Sequence, residues 1–259
     1  MKRPIDSYVG ITGFMARAEI EECLACVPTD NQRKFMVGVL ASSTTISGQR
    51  NTLWNKFPRR EDFRKIFFSD SRAFNCLHFA TREPEKLYDH LMRCVDFAGE
   101  NLNGIQLNIP WPDAESIRRV RDQSPRLKFI LQVSPHLKDL LRMSIKETAS
   151  NYAKAYGNLA DYFLIDRSRG FGLELDPAYT SIMLERFAEF LGCKRDNAFV
   201  VGGGLEAGNL DRLIQPLLVD YPSLSWDSEG KQRDNSDGGG HLVLPNAINY
   251  LEKSFALSS

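Results

Sequence analysis

The sequence predicts an α/β protein built as one closed (β/α)8 barrel, and three observations carry that expectation. Short runs rich in β-branched and aromatic residues occur eight times, amphipathic helix-like stretches separate them, and 259 residues with 42% hydrophobic content suffice for one large core. Strict strand–helix alternation makes a parallel sheet, and eight such units in a chain of this length point to closure rather than an open sheet.

The strands are expected at Tyr8 to Thr12, Phe35 to Ala41, Phe74 to Ala80, Gly104 to Ile109, Lys128 to Ser134, Tyr162 to Asp166, Ala198 to Gly202 and Leu224 to Ser228. Between them, Pro84 to Ala98 carries Leu87, Leu91, Cys94, Val95 and Ala98 on one helical face. A later helix opens with Asp176 as N-cap and Pro177 at its first position, buries Ile182, Phe187, Phe190 and Leu191, and stops at Gly192. Asn209 to Val219 is helix-like, and Leu244 to Phe255 closes the eighth unit. Ser228 to Gly240 is a long polar loop after the last strand rather than a boundary, so residues 1–259 form a single domain.

Lysine plus arginine (33) balances aspartate plus glutamate (33), so no long-range field favours nucleic acid or an anionic membrane as partner. No apolar run approaches membrane-spanning length, and the first residues lack a signal-peptide pattern. Five cysteines scattered through strands and helices suit a reducing compartment. The expectation is a soluble, cytoplasmic protein acting on a small molecule. Its oligomeric state is open.

In such barrels the loops after the strands converge over one mouth, so strand ends supply the candidate site. They are Thr12, the Ser42 to Arg50 segment, His78 and Thr81, Gln106 and Asn108, Gln132 and Ser134, Asp166, Gly202 to Gly204, and Ser228 to Gly230. Gly202, Gly203 and Gly204 follow a strand, where bare amides can approach an anion, and Ser228, Glu229 and Gly230 would complete a phosphate cup beside them. Glu229 would repel that anion unless it points away. Asp166 ends an apolar strand, where a carboxylate needs a wet cavity or a partner, Arg167 or Arg169 being near in sequence. Cys23 and Cys26 have C-x-x-C spacing, but in the first helix they read as packing, as do Tyr152 and Tyr156 at i,i+4. The four histidines, His78, His90, His136 and His241, form no evident metal set, and neither metal nor cofactor is expected.

Several segments, in order along the chain, resemble phosphoribosylanthranilate isomerases. Val9-Gly10-Ile11-Thr12-Gly13 resembles that family's V-K-I-C-G opening, Thr81 to Leu87 its N-E-E-P-E-K-I, and Gly104 to Asn108 its A-V-Q-L-H. Leu164-Ile165-Asp166 is similar to L-L-D, and Gly170-Phe171-Gly172 with Leu175-Asp176 to G-x-G-x-x-F-D. Val201 to Leu205 is similar to L-S-G-G-L, and Ser228-Glu229-Gly230 to S-S-G. The resemblance implies a TIM barrel that isomerises a phosphoribosyl-linked substrate by acid–base chemistry without cofactor, with Asp166 as general acid on the ribose ring oxygen. It also implies Arg50 as a carboxylate-binding arginine, reached across an extended Ser42-Ser43-Thr44-Thr45 run. By strand alternation rather than by resemblance, Gln106 and Asn108 are expected to point into the barrel and hydrogen-bond a ligand, and His78 and His136, at or beyond strand ends, to be within reach of substrate. The family's general base is the cysteine of the first strand. Thr12 stands there in this chain, and its hydroxyl has no useful basicity near neutral pH. The alternatives are therefore a phosphosugar-binding barrel without turnover and the same scaffold with another reaction.

Overall fold

The computed structural model describes residues 6–53, 55–133, 143–166, 173–191, 198–234 and 240–257. Its sheet is a closed barrel in which β1 to β8 follow one another in sequence order. The strands are β1 (Tyr8–Thr12), β2 (Lys34–Ser42), β3 (Ala73–Ala80), β4 (Gly104–Leu107), β5 (Lys128–Val133), β6 (Tyr162–Asp166), β7 (Phe199–Gly202) and β8 (Ser225–Ser228). All neighbours are parallel, including the closing pair in which Gly10 lies opposite Asp227. The expected barrel is thus present, with most strand ends within a residue of expectation. Ser134, His136, Arg167, Arg169, Gly170 to Gly172 and the helix stop at Gly192 lie outside the described residues.

The helices are α1 (Arg17–Leu24), α2 (Ser43–Ile46), α3 (Phe63–Ile66), α4 (Leu87–Ala98), α5 (Ala114–Gln123), α6 (Ile145–Tyr156), α7 (Pro177–Leu191), α8 (Leu210–Leu213), α9 (Gln215–Leu218) and α10 (Leu244–Leu257). Helix α4 buries Leu87, Leu91, Cys94 and Ala98 as its spacing requires. Helix α6 starts on a capping box between Ser144 and Glu147. Asp176 accepts hydrogen bonds from the amides of Ala178 and Tyr179 at 3.1 and 3.2 Å, the cap expected for α7. Tyr152 and Tyr156 pack as foreseen, against Trp111 at ring distances of 4.6 and 5.7 Å.

Four expectations are corrected. Ile182 is 46% exposed, because the buried stripe of α7 runs through Thr180, Met183, Leu184 and Phe187, and Ile182 lies off that stripe. Strand β4 ends at Leu107, two residues early, where Pro110 and a positive φ at Trp111 (46°) turn the chain away. Ser43 to Thr45 are helical, since Ser42 accepts a hydrogen bond from the Thr45 amide and caps α2. The stretch 209–219 splits into α8 and α9 around Ile214, and Pro216 supplies no amide to a continuous ladder.

Side chains alternate across each strand, so two apolar regions form. The larger lies between sheet and helices and includes Val9, Ile11, Val37, Phe79, Phe129, Phe163 and Trp226; the indole of Trp226 donates to Ser254 of α10 at 3.1 Å. The smaller fills the lower barrel with Tyr8, Met36, Phe74, Cys76, Ile130, Tyr162, Leu164 and Val200. Alternate strands supply each interior layer, and above the apolar floor the register sets Gly38, Gln106, Leu164 and Asp227 together, then Thr12, His78, Gln132 and Gly202, then Leu40, Asn108, Asp166 and Glu229 at the rim. Polar residues therefore collect at the C-terminal mouth.

Glycines make these layers fit. A Cβ on Gly38 would lie 2.2 Å from Thr12 Oγ1 and 2.8 Å from Thr12 Cα. Because the second contact is backbone, a rotamer change cannot relieve it. Gly38→Ala is expected to destabilise the barrel by about 1–3 kcal/mol through overpacking. Urea unfolding checks this; an unchanged midpoint would mean that β1 and β2 are not so closely apposed.

Candidate functional site

The mouth is built from short-range alternation and one long-range contact. Thr12, His78, Gln106, Gln132, Asp166 and Asp227 face inward from β1, β3, β4, β5, β6 and β8. After β8 a 3-10 turn, Gly230–Gln232, leads to Arg233, which forms an antiparallel bridge with Leu242. Thus the loop expected after the last strand folds back on itself, and the bridge aims Arg233 into the barrel rather than outward.

Thr12 Oγ1 lies 3.1 Å from His78 Nδ1 and 3.0 Å from Nε2, so the hydroxyl can donate to whichever ring nitrogen is unprotonated. Burial and then the positive charge of Arg233 push the His78 pKa down to about 3. The imidazole is therefore neutral near pH 7. Asp166 accepts a 2.8 Å hydrogen bond from Gln132 Nε2, which orients its carboxyl at the rim. Gln106 donates from Nε2 to Asn108 Oδ1 at 3.0 Å, the paired inward placement that alternation foretells.

Asp227 is a site residue that the sequence reading did not select. Burial, then the charges of Asp166 and Glu229, push its carboxyl well above the usual carboxylate range, and its Oδ2 has no hydrogen-bond partner among the described residues. Gly202 and Gly10 make room for it, since a Cβ on either would lie 2.9 Å from Asp227 Oδ1 or 2.7 Å from Asp227 Cβ. Arg233 was likewise passed over. Its side chain is 1% exposed and its Nε lies 3.5 Å from Glu229 Oε1. Burial holds its pKa below the ordinary arginine value, with Glu229 and Glu19 opposing. Glu229 keeps 38% of its side chain exposed, yet enclosure in the mouth raises its pKa, with Arg233 and Lys56 pulling the other way.

The glycine turns sit beside these groups. Gly203 and Gly204 have φ of 124° and 58°, which L side chains rarely adopt. A Cβ on Gly203 would be 3.6 Å from Asp166 Oδ1. Their carbonyls accept hydrogen bonds from the Leu175 amide at 3.1 Å and Asn209 Nδ2 at 2.9 Å. Ser228 Oγ and Gln232 Nε2 both donate to the Leu205 carbonyl, at 2.6 and 3.1 Å, and so stitch the two loops together. Helix α8 begins only at Leu210, so the Gly202–Gly204 turn does not lead directly into a helix N-terminus. Arg50 stays exposed on the loop after α2, apart from the inward-facing set. Cys23 is buried in α1, and no group able to hold a metal ion occurs among the described residues. No helix there is long and apolar enough to cross a membrane.

No family model matches the chain, and no curated protein does. Solved structures do. The tryptophan synthase A-subunit of Pyrococcus furiosus is 14% identical, with 99% of each chain covered and a TM-score of 0.56. Tryptophan synthase subunit alpha from Legionella pneumophila is 10% identical, covering 97% of this chain and 92% of that one, at a TM-score of 0.57. A ribulose-1,5-bisphosphate carboxylase/oxygenase from Pyrococcus horikoshii is 12% identical, and 97% of this chain spans 59% of it at a TM-score of 0.55. At these identities the likeness shows a shared barrel fold.

Two buried groups give pH signatures of opposite sign. Asp227 has a raised folded pKa, so the stability it contributes is complete below the unfolded value near 4 and is lost as pH rises toward the folded value. Asp227→Asn, which does not titrate, should gain on the parent by about 1.4 kcal/mol per pH unit above pH 4 until that value is reached. His78 has a depressed pKa, so its contribution is complete above about 6.5 and is lost as pH falls toward about 3; His78→Gln should remove that loss. Urea titrations from pH 3 to 8 separate the two, and a pH-independent difference for either variant would show that the group ionises in the fold as it does in water.

Proposed function

We propose that this protein is an enzyme of the phosphosugar-binding barrel type that isomerises a phosphoribosyl-linked substrate, with phosphate at the Gly202–Gly204 and Ser228–Gly230 turns and proton transfer at Asp166. The observation that carries the proposal is the closeness of two functions. The positive-φ turn at Gly203 adjoins the Asp166 carboxyl, so a phosphate held by turn amides would place the attached sugar over that carboxyl. One barrel sharing the fold is, by its name, a ribulose-1,5-bisphosphate enzyme, which puts phosphosugars within the range of this scaffold.

Gln132 orients Asp166, and Asp227 adds a buried carboxyl, biased toward its protonated form, below Gly202. Thr12 and His78 offer a hydroxyl and a neutral imidazole to substrate hydroxyls. An imidazole with a pKa near 3 is a weak base at neutral pH, so the proton-abstracting group is not His78 in its present surroundings. That favours, as the second reading, a barrel that binds phosphosugars without rapid turnover.

Loss of phosphoribosylanthranilate beside a no-enzyme control tests turnover. Thr12→Cys should create or increase it, because an ionisable thiol returns to the end of β1. Gly203→Val should weaken ribose 5-phosphate binding by about tenfold or more, about 1.4 kcal/mol, through loss of the positive φ and of close approach. Lys231→Ala should change it less than about twofold, because Lys231 is exposed and paired with Glu206 at 3.3 Å. A reversed ranking in folded variants would move the phosphate elsewhere.

A further inference from the structure

Two arginines are buried among the described residues, Arg33 and Arg233. Arg33 donates to the carbonyls of Leu224 and Pro222 and lies 4.8 Å over the Trp226 ring, which gives it a structural role beneath the sheet. Arg233 is differently placed. Its Nη1 donates to the Gly240 carbonyl at 3.0 Å, while Nε and Nη2 have no hydrogen-bond acceptor among the described residues. Those two nitrogens form one edge of the planar guanidinium, with their N–H bonds parallel. A buried guanidinium with a whole edge unused is costly unless an acceptor arrives.

We propose that the Nε–Nη2 edge of Arg233 is a binding site for a carboxylate carried by the ligand, a subsite separate from the amide turns and resting on the barrel-mouth assignment above. The edge lies within the mouth. A Cβ on Gly13 at the end of β1 would be 2.3 Å from Nη2, and the Arg233 charge is felt at His78 on β3. Its near neighbour is Glu229, whose Oε1 is 3.5 Å from Nε, too far for a good hydrogen bond. Glu229 remains partly exposed and can swing outward, so it occupies the approach without satisfying the edge. A ligand carboxylate would take its place with two coplanar oxygens, the geometry that matches a guanidinium edge. The group now nearest this edge, Glu229, is itself a carboxylate, and this selects a carboxylate as its replacement.

The test is titration of the full chain with sodium acetate and sodium benzoate at constant ionic strength, with benzamide as neutral control and ribose 5-phosphate in parallel. In the parent, at least one carboxylate should bind and benzamide should not. Arg233→Lys and Arg233→Met should each weaken carboxylate binding at least tenfold, while Glu229→Gln should strengthen it severalfold by removing the resident competitor. Gly203→Val should leave it within twofold. Circular dichroism confirms folding, and Glu229→Gln, altering a partly exposed group, keeps the test decisive if an Arg233 variant fails to fold. Absence of carboxylate binding in the parent, unchanged binding in folded Arg233→Met, or weaker binding in Glu229→Gln overturns the proposal. If ribose 5-phosphate follows Arg233 and carboxylates do not, the arginine holds phosphate and this subsite falls. If carboxylates follow Arg233 while ribose 5-phosphate never binds, this subsite stands and the phosphosugar assignment falls.

Discussion

Closure of eight parallel strands is the constraint on which the rest depends. A closed sheet admits only every second side chain to its interior, and alternate strands must share each layer. The interior is too narrow for a large residue at every position. Gly10, Gly38, Gly104 and Gly202 therefore stand beside Met36, Thr12, Phe74 and Asp227, each glycine leaving the space its neighbour fills. The lower interior is closed by Tyr8, Phe74 and Tyr162, whose rings meet at 5.3 to 5.9 Å. Polar groups then have one exit, the mouth, and the loops that follow the strands decide which charges sit there.

Burial in that mouth explains its charge states. His78 and Asp227 are each driven toward the neutral form, because desolvation penalises the ion and the neighbouring charges, Arg233 for one and Asp166 and Glu229 for the other, add to that penalty. Arg233 cannot follow, since a guanidinium retains its proton in proteins. One obligate cation thus stands among carboxyls whose charge depends on their surroundings, and an anion entering the mouth would alter His78, Glu229 and Asp227 together. Anion binding there would therefore be coupled electrostatically to the protonation of these groups even where they do not touch.

The fold was legible because barrel strands are apolar on both faces and bounded by turn residues, so eight runs stood out in the sequence. What alternation alone determines was also legible: Thr12, His78, Gln106 and Asp166 are inward-facing and near one another. Failures occurred where distant chain decides. Ile182 looked like a core residue until the phase of its helix placed it off the buried stripe. Asp227 was overshadowed by the adjacent Ser228-Glu229-Gly230 turn, although the alternation Ser225, Asp227, Glu229 would have turned three polar residues inward together. Arg233 had no local signal, because its burial depends on pairing with Leu242 across a loop.

A threonine at the end of β1 brings chemistry different from that of a thiol. A cysteine can ionise and take a proton, whereas Thr12 offers an uncharged hydroxyl in contact with a buried, neutral imidazole. The charge of Arg233 is one cause of that neutrality, so drawing the guanidinium toward a bound anion would weaken its effect on His78 and raise the imidazole's proton affinity. Burial is the larger cause and would persist, keeping that rise short of an ordinary histidine. The Thr12–His78 pair is consequently ill suited to removing a carbon-bound proton near neutral pH. On the proposed reading, proton transfer would draw on the carboxyls, Asp166 at the rim and Asp227 beneath Gly202, rather than on the Thr12–His78 pair.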